Sequence, residues 1–172
     1  MAKKQIFKRH SEQKQKHYER VVRLQYGPDS VNESINRWNS YTKEQQDKVF
    51  EEANQIYTDM LDAIESGKSP LSAEVQAILP RWHENLRNFY EPTLEILRGL
   101  GELYNTEPGF IANFKKIHPD LPEYLQEAIT QYVEDLEYAE IMRLLAADEE
   151  QAAEDNAAAQ AASSLRLSDS QS

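Results

Sequence analysis

Thr42-Lys43-Glu44-Gln45 has the pattern of a capping box, with a Thr hydroxyl at the N-cap and a Gln three residues on. Behind it Val49, Phe50, Ala53, Ile56, Tyr57, Met60, Leu61 and Ile64 recur at helical spacing as far as Gly67. That run predicts one long amphipathic helix with a buried face, closed by a glycine suited to a left-handed C-cap. No stretch of the chain alternates as a half-buried strand would. The expected fold class is therefore all-α, with five to seven core helices and a flanking N-terminal helix.

The remaining helices follow from the same signals. A helix over roughly 30–38 follows the breaker Tyr26-Gly27-Pro28-Asp29. Ser72 is placed to cap a helix whose inward residues run from Val75 through Trp82 to Phe89 and Tyr90, with a kink or break expected at Pro80. Pro92 starts another through Leu94, Leu97, Leu100 and Tyr104, and Pro108 a short one ending near Ile117. Leu121-Pro122 opens the last, buried through Leu125, Ala128, Ile129, Tyr132, Val133 and Leu136.

Charge divides the chain into three parts. Residues 1–25 carry +6 and are expected to form a basic helix, sparse in apolar residues (Ile6, Phe7, Tyr18, Val21, Val22, Leu24). The rest carries −17, for a total of −11. A body of that sign repels phosphate backbones, so direct nucleic-acid binding is not expected. The basic arm suits nucleic acid, an acidic partner, a second chain or its own acidic body, and a solvated helix, with no groove-reading motif beside the charge, accounts for it as well. Residues 26–146 make the expected folded domain. Residues 147–172, rich in Ala, Ser and Gln with a net −5, read as a disordered acidic tail.

Chemistry is scarce. The chain has no cysteine, which excludes disulfides, thiolate metal sites and thiol catalysis. His83-Glu84 begins like a zincin helix, but Arg87 stands where the second His belongs. No histidine has an acidic residue three positions before it, and neither a P-loop nor a nucleophile elbow is present. No catalytic residue, metal site or cofactor is therefore expected, and the protein reads as a non-enzyme. With no long apolar run and no signal-like leader, a cytoplasmic location is expected.

Aromatic residues dominate what is left. Trp38, Tyr41, Tyr57, Trp82, Phe89, Tyr90, Tyr104, Phe110 and Phe114 lie near helix starts, kinks and ends. Any one of them is explained by core packing. Their grouping with Pro80, Pro92, Gly99 and Gly101 suits either close helix packing or the approach of a bulky ligand.

These residues carry a recognisable pattern. Tyr26-Gly27, Asn32-Glu33-Ser34 with Arg37-Trp38, Tyr41-Thr42, and Glu52-Ala53 with Ile56-Tyr57 resemble the TipAS antibiotic-recognition domain. The likeness continues through Glu74-Val75-Gln76, Trp82, Phe89-Tyr90, Glu95, Gly99-Leu100-Gly101-Glu102, Tyr104, Phe110 and Ala128-Ile129, covering about residues 20–136. The resemblance implies a globin-like all-α fold without haem that binds bulky drugs, thiopeptides such as thiostrepton among them, in an aromatic cleft. It also implies a frequent fusion behind a MerR-type DNA-binding module. Only about 25 residues precede the domain here, so a stand-alone member without that module is expected. Thiopeptide-capturing members use a cysteine just after the Phe-Tyr pair. Glu91-Pro92-Thr93 occupies that stretch here, so binding is expected to be reversible.

The function expected is therefore non-covalent binding of a bulky hydrophobic small molecule, for sensing or sequestration. The cleft candidates are Trp38, Tyr57, Trp82, Phe89, Tyr90 and Tyr104, with Glu33, Arg37 and His83 as polar partners. Two other readings stay open: a protein–protein interaction module using the N-terminal helix, and a tetrapyrrole-binding globin-like protein.

Overall fold

The structure, a computed structural model, describes residues 27–170; the expected basic helix over 1–25 lies outside them. Seven helices follow in order among the described residues: α1 (Pro28–Asn39), α2 (Lys43–Glu65), α3 (Ala73–Gln76), α4 (Leu79–Leu86), α5 (Leu94–Thr106), α6 (Pro108–Lys115) and α7 (Leu121–Asp169). There is no strand among the described residues.

Local chemistry sets most helix ends. In the Thr42 capping box the Gln45 amide donates to Thr42 Oγ1 at 3.2 Å, and the Thr42 amide donates to Gln45 Oε1 at 2.8 Å. At the other end of α2, Gly67 has φ 70°. Its amide donates to the Ile64 carbonyl and that of Lys68 to the Ala63 carbonyl, the paired bonds of a Schellman ending. Ser72, Thr93 and Glu107 cap α3, α5 and α6 with their side chains. The expected break near Pro80 falls just ahead of it, at Ala77-Ile78. Pro80 then sits in the first turn of α4, where a missing N–H costs nothing. Helix α4 ends at Leu86, earlier than its apolar spacing suggests, leaving Phe89 and Tyr90 outside any helix.

Contacts group the chain into a unit ending at Val133 and a second covering 134–172. The first unit's core is built from one face of each helix. Ile56 and Met60 of α2, Leu79 of α4, Leu97 of α5, and Leu121 and Ile129 of α7 are essentially inaccessible. Helix α5 approaches α7 closely at Gly101: a Cβ there would lie 3.0 Å from Ile129 Cγ2 and 3.2 Å from its Cβ. Of the two roles open to that glycine, close helix packing is the one this geometry uses.

The second unit differs from the sequence expectation. Residues 147–169, expected to be disordered, continue α7 as helix, and every residue from Tyr138 to Ser170 is exposed. Burial is too poor to fold this segment, but burial is not what makes it helical. Between Glu123 and Asp169 there is no Gly or Pro, and Ala, Glu, Gln and Leu predominate. Nucleation, the costly step, is met in the buried first turns of α7, after which each added residue gains one bond. Arg143–Glu140 at 2.6 Å and Gln151–Asp155 at 3.0 Å add pairs along the surface.

Candidate functional site

The nine candidate residues fall into three neighbouring groups. The first is half-buried and built where α1 meets the end of α4. The Trp38 indole stacks on Phe89 with centroids 4.9 Å apart and planes at 26°. Phe50 of α2 meets the same indole edge-on at 5.5 Å, and Tyr41 tilts against it at 6.0 Å. Polar bonds hold the platform in place. Arg37 Nη1 donates to the Arg87 carbonyl at the end of α4 (3.0 Å), and Nη2 donates to Glu33 Oε1 (3.2 Å). The Tyr41 hydroxyl donates to Asn88 Oδ1 at 3.2 Å, and Gln46 Nε2 donates to the Trp38 carbonyl at 3.1 Å. Tyr90, also half-buried, follows Phe89 with its amide bonded to the Leu86 carbonyl at 3.2 Å.

The second group is interior. Tyr57, Trp82 and Tyr104 are 8 %, 4 % and 6 % exposed, which makes them core rather than surface. Phe110 and Phe114 complete the cluster, Tyr104 lying 5.4 Å and 5.1 Å from them and Tyr57 5.5 Å from Phe114. The two phenol hydroxyls and the Trp82 indole N–H form a hydrogen-bonded trio. Burial raises the pKa of both phenols. Tyr57 rises further because Tyr104 is beside it, whereas the Trp82 N–H pulls both the other way. Both hydroxyls are therefore neutral at physiological pH.

His83 makes the third group with Tyr132 of α7. Its Nδ1 lies 2.8 Å from the Tyr132 hydroxyl, the rings meeting at 81°. Nε2 is buried and meets no hydrogen-bonding partner among the described residues. Burial first, and the Arg87 guanidinium second, lower the His83 pKa, while Glu91 and Glu84 oppose them. Those two carboxylates also hold Arg87, at 3.0 Å and 2.5 Å. Either tautomer leaves one ring nitrogen unpaired, an arrangement that costs stability until something supplies a partner.

Sequence reasoning did not select Tyr41, Phe50, Asn88 or Tyr132 for the site. Phe50 and Tyr132 carried only the periodicity of core residues, and no local signal tells an aromatic that faces a site from one that fills a core. Among the described residues no group of three His, Cys, Asp or Glu side chains stands together as a metal site, and no helix is long and apolar enough to cross a membrane.

Residues 18–132 match the TipAS antibiotic-recognition domain, a span holding all nine candidates. The chain belongs to the TipAS family. It is 30% identical over 122 residues to the HTH-type transcriptional activator mta of Bacillus subtilis, covering 70% of this chain and 47% of that protein. It is 31% identical over 137 residues to the HTH-type transcriptional regulator SkgA of Caulobacter vibrioides (77% and 54%). The HTH-type transcriptional activator TipA of Streptomyces coelicolor is 29% identical over 115 residues (65% and 45%). The chain thus spans about half the length of the curated relatives it matches. Its relatives are transcriptional regulators. Among solved structures, TipAS from Streptomyces lividans in complex with nosiheptide superposes with a TM-score of 0.64 at 24% identity, covering 76% of this chain and 90% of that one. The TipAS domain here accordingly has the globin-like all-α fold.

Proposed function

We propose that this TipAS domain binds a bulky, largely apolar small molecule, thiopeptide-like or another antibiotic or natural product, and does so reversibly. The observation that carries the reading is the Trp38–Phe89 stack: a half-exposed aromatic platform, pinned by Arg37, Tyr41 and Gln46, in a domain of an antibiotic-recognition family. Flat aromatic surface supplies apolar contact at little conformational cost, about 25 cal/mol for each Å² removed from water. Tyr90, next to Phe89 in sequence and likewise half-buried, is a further aromatic candidate, and Glu33 and Arg37 are the polar ones on α1. The buried trio of Tyr57, Trp82 and Tyr104 ties α2, α4 and α5 together in the core. His83 is the third polar candidate, and a ligand's polar group would reach its buried Nε2 only if the side chains around it move. No thiol is available for addition, so the complex is held by contact alone.

The role is sensing or sequestration in the cytoplasm, with no chemical step and no direct contact to nucleic acid by the acidic domain. Thermal unfolding against a panel of thiopeptides, other bulky antibiotics and tetrapyrroles tests this. A ligand that binds only the folded state raises stability by about 2.7 kcal/mol at one hundred times its Kd. A concentration-dependent rise in Tm with a thiopeptide or similar compound is the expected result. No shift with any compound, from a protein with an intact helical spectrum, overturns the reading.

A further inference from the structure

The family match ends at Tyr132, but α7 continues to Asp169. On that extension Tyr138, Ile141, Met142 and Leu145 follow at spacings of three, one and three, and they are 65 %, 55 %, 48 % and 51 % exposed. The same face runs on through Glu149, Ala152, Ala153, Asn156, Ala159, Gln160 and Ser163 to Leu167, polar and apolar residues mixed. Its flanks are acidic: residues 134–169 carry ten carboxylates against Arg143 and Arg166, a net −8. A surface of this kind, with exposed apolar residues at its start and carboxylates around and within it, Glu134 and Glu149 included, fits a basic helix.

The sequence predicts one. Residues 1–17, the other stretch outside the family match, carry +5, and residues 1–25 carry +6. The sequence of 3–25 predicts a helix, and at 100° per residue Ile6, Phe7, Tyr18, Val21, Val22 and Leu24 fall within an arc of roughly 160°. The two segments that lie outside the family domain are thus opposite in charge, and apolar residues are interspersed with the charges of each.

We infer that the stripe Tyr138–Leu167 is the docking surface for the basic segment 1–25 of a second copy of this chain. Two tails cannot pair with each other, since −8 meets −8. A predicted helix as short as 3–25 is only marginally stable alone in water and gains from a surface to dock on. Reciprocal exchange, in which each copy gives its basic arm and receives the other's, makes the contact twice within a closed two-fold dimer. The interface is independent of ligand binding by the domain.

Sedimentation of the full chain at low and high salt tests the inference. The wild type is expected to be a dimer that dissociates as salt rises. Reversing Lys3, Lys4, Lys8 and Arg9 to Glu is expected to weaken dimerisation by roughly tenfold or more, as is reversing Asp148, Glu149, Glu150 and Asp155 to Lys. The decisive sample is an equimolar mixture of the two variants. The first variant then has an arm of −2 and a tail of −8, the second an arm of +6 and a tail of 0, so neither pairs with itself, while a mixed dimer in which the +6 arm meets the −8 tail is expected to form. Circular dichroism verifies that each variant keeps its helical domain. A wild-type chain that is monomeric at every concentration, which includes docking of the arm on its own tail, overturns the inference. So does a dimer that both reversals leave intact, or a mixture in which no mixed dimer appears.

Discussion

Trp38 and Phe89, fifty-one residues apart, stack at 4.9 Å and tie the first described helix to the segment that follows α4. The contact is the centre of the platform proposed to take the ligand, and it is also a structural joint. Trp38→Ala is expected to lower stability by about 1–2 kcal/mol, since the indole is only half-buried. Ligand affinity is expected to fall by roughly tenfold or more, as for other aromatic anchors. Trp38→Phe keeps an aromatic pair and is expected to recover most of both. Denaturant unfolding and calorimetric titration measure the two effects separately. An alanine variant that is folded and binds at wild-type affinity removes Trp38 from the site.

Gly101 stands against Ile129, and the cost of filling that gap has a definite sign. Alanine is the better helix former by about 1 kcal/mol, which alone favours Gly101→Ala. Against this, Ile129 is buried and β-branched, so its Cγ2 and Cβ cannot turn away from a new methyl group. Overpacking costs typically 1–3 kcal/mol. The variant is expected to be destabilised by about 1 kcal/mol, and Gly101→Val by more. Urea unfolding of the two variants gives the order directly.

His83 gives the domain an acid-sensitive region above the carboxylate range. Unfolded, it titrates near about 6.5, and in the folded domain lower, because the ring is partly buried and faces Arg87. Below about pH 6.5 the unfolded chain takes up a proton that the folded chain resists. Stability is therefore expected to fall as pH drops through that value, levelling off once the folded pKa is passed. Glu74 and Glu140, with lowered pKa values, lose stability only at lower pH. Melting temperatures between pH 5 and 7.5 should show the slope in the wild type and a weaker slope in His83→Gln. Equal slopes in the two proteins contradict the assignment.

Thr42 carries both halves of its capping box within the first turn of α2. Thr42→Ala removes one acceptor and frees Gln45, with an expected loss of about 1 kcal/mol. Thr42→Ser keeps the hydroxyl and is expected to lose a few tenths at most. The ratio of the two effects, read from chemical denaturation, separates capping from any change in packing.

Both ends of α2 were legible in sequence because their causes are local: a hydroxyl three residues from an amide, and a glycine free to adopt φ 70°. The apolar faces of α2 and α7 were legible for the same reason, since 3.6-residue periodicity is a property of one segment. The position of the break before Pro80 was less so, because proline is compatible with a kink within a helix or with the first turn of the next one. The exposed half of α7 differs from what its composition suggests. Its lack of apolar residues argued for disorder, while its alanines and the helix already formed upstream argued for continuation, and the second effect prevails. At the site, family resemblance singled out Trp38 and Phe89, yet nothing local announces that they touch. The pairing of His83 with Tyr132, and of Arg37 with the Arg87 carbonyl, depends on how helices distant in sequence come together.

The chain's two tryptophans occupy different optical environments. Trp82 sits in a dry interior with its N–H engaged, so its emission belongs at the blue end and out of reach of dissolved quenchers. Trp38 faces water along part of its ring, and its light should be redder and readily quenched by acrylamide, which as a neutral probe is indifferent to the −11 charge of the chain. A molecule seated on the platform would shield one indole and leave the other unchanged. The protein therefore carries its own reporter and its own internal reference in a single emission spectrum, with no dye attached.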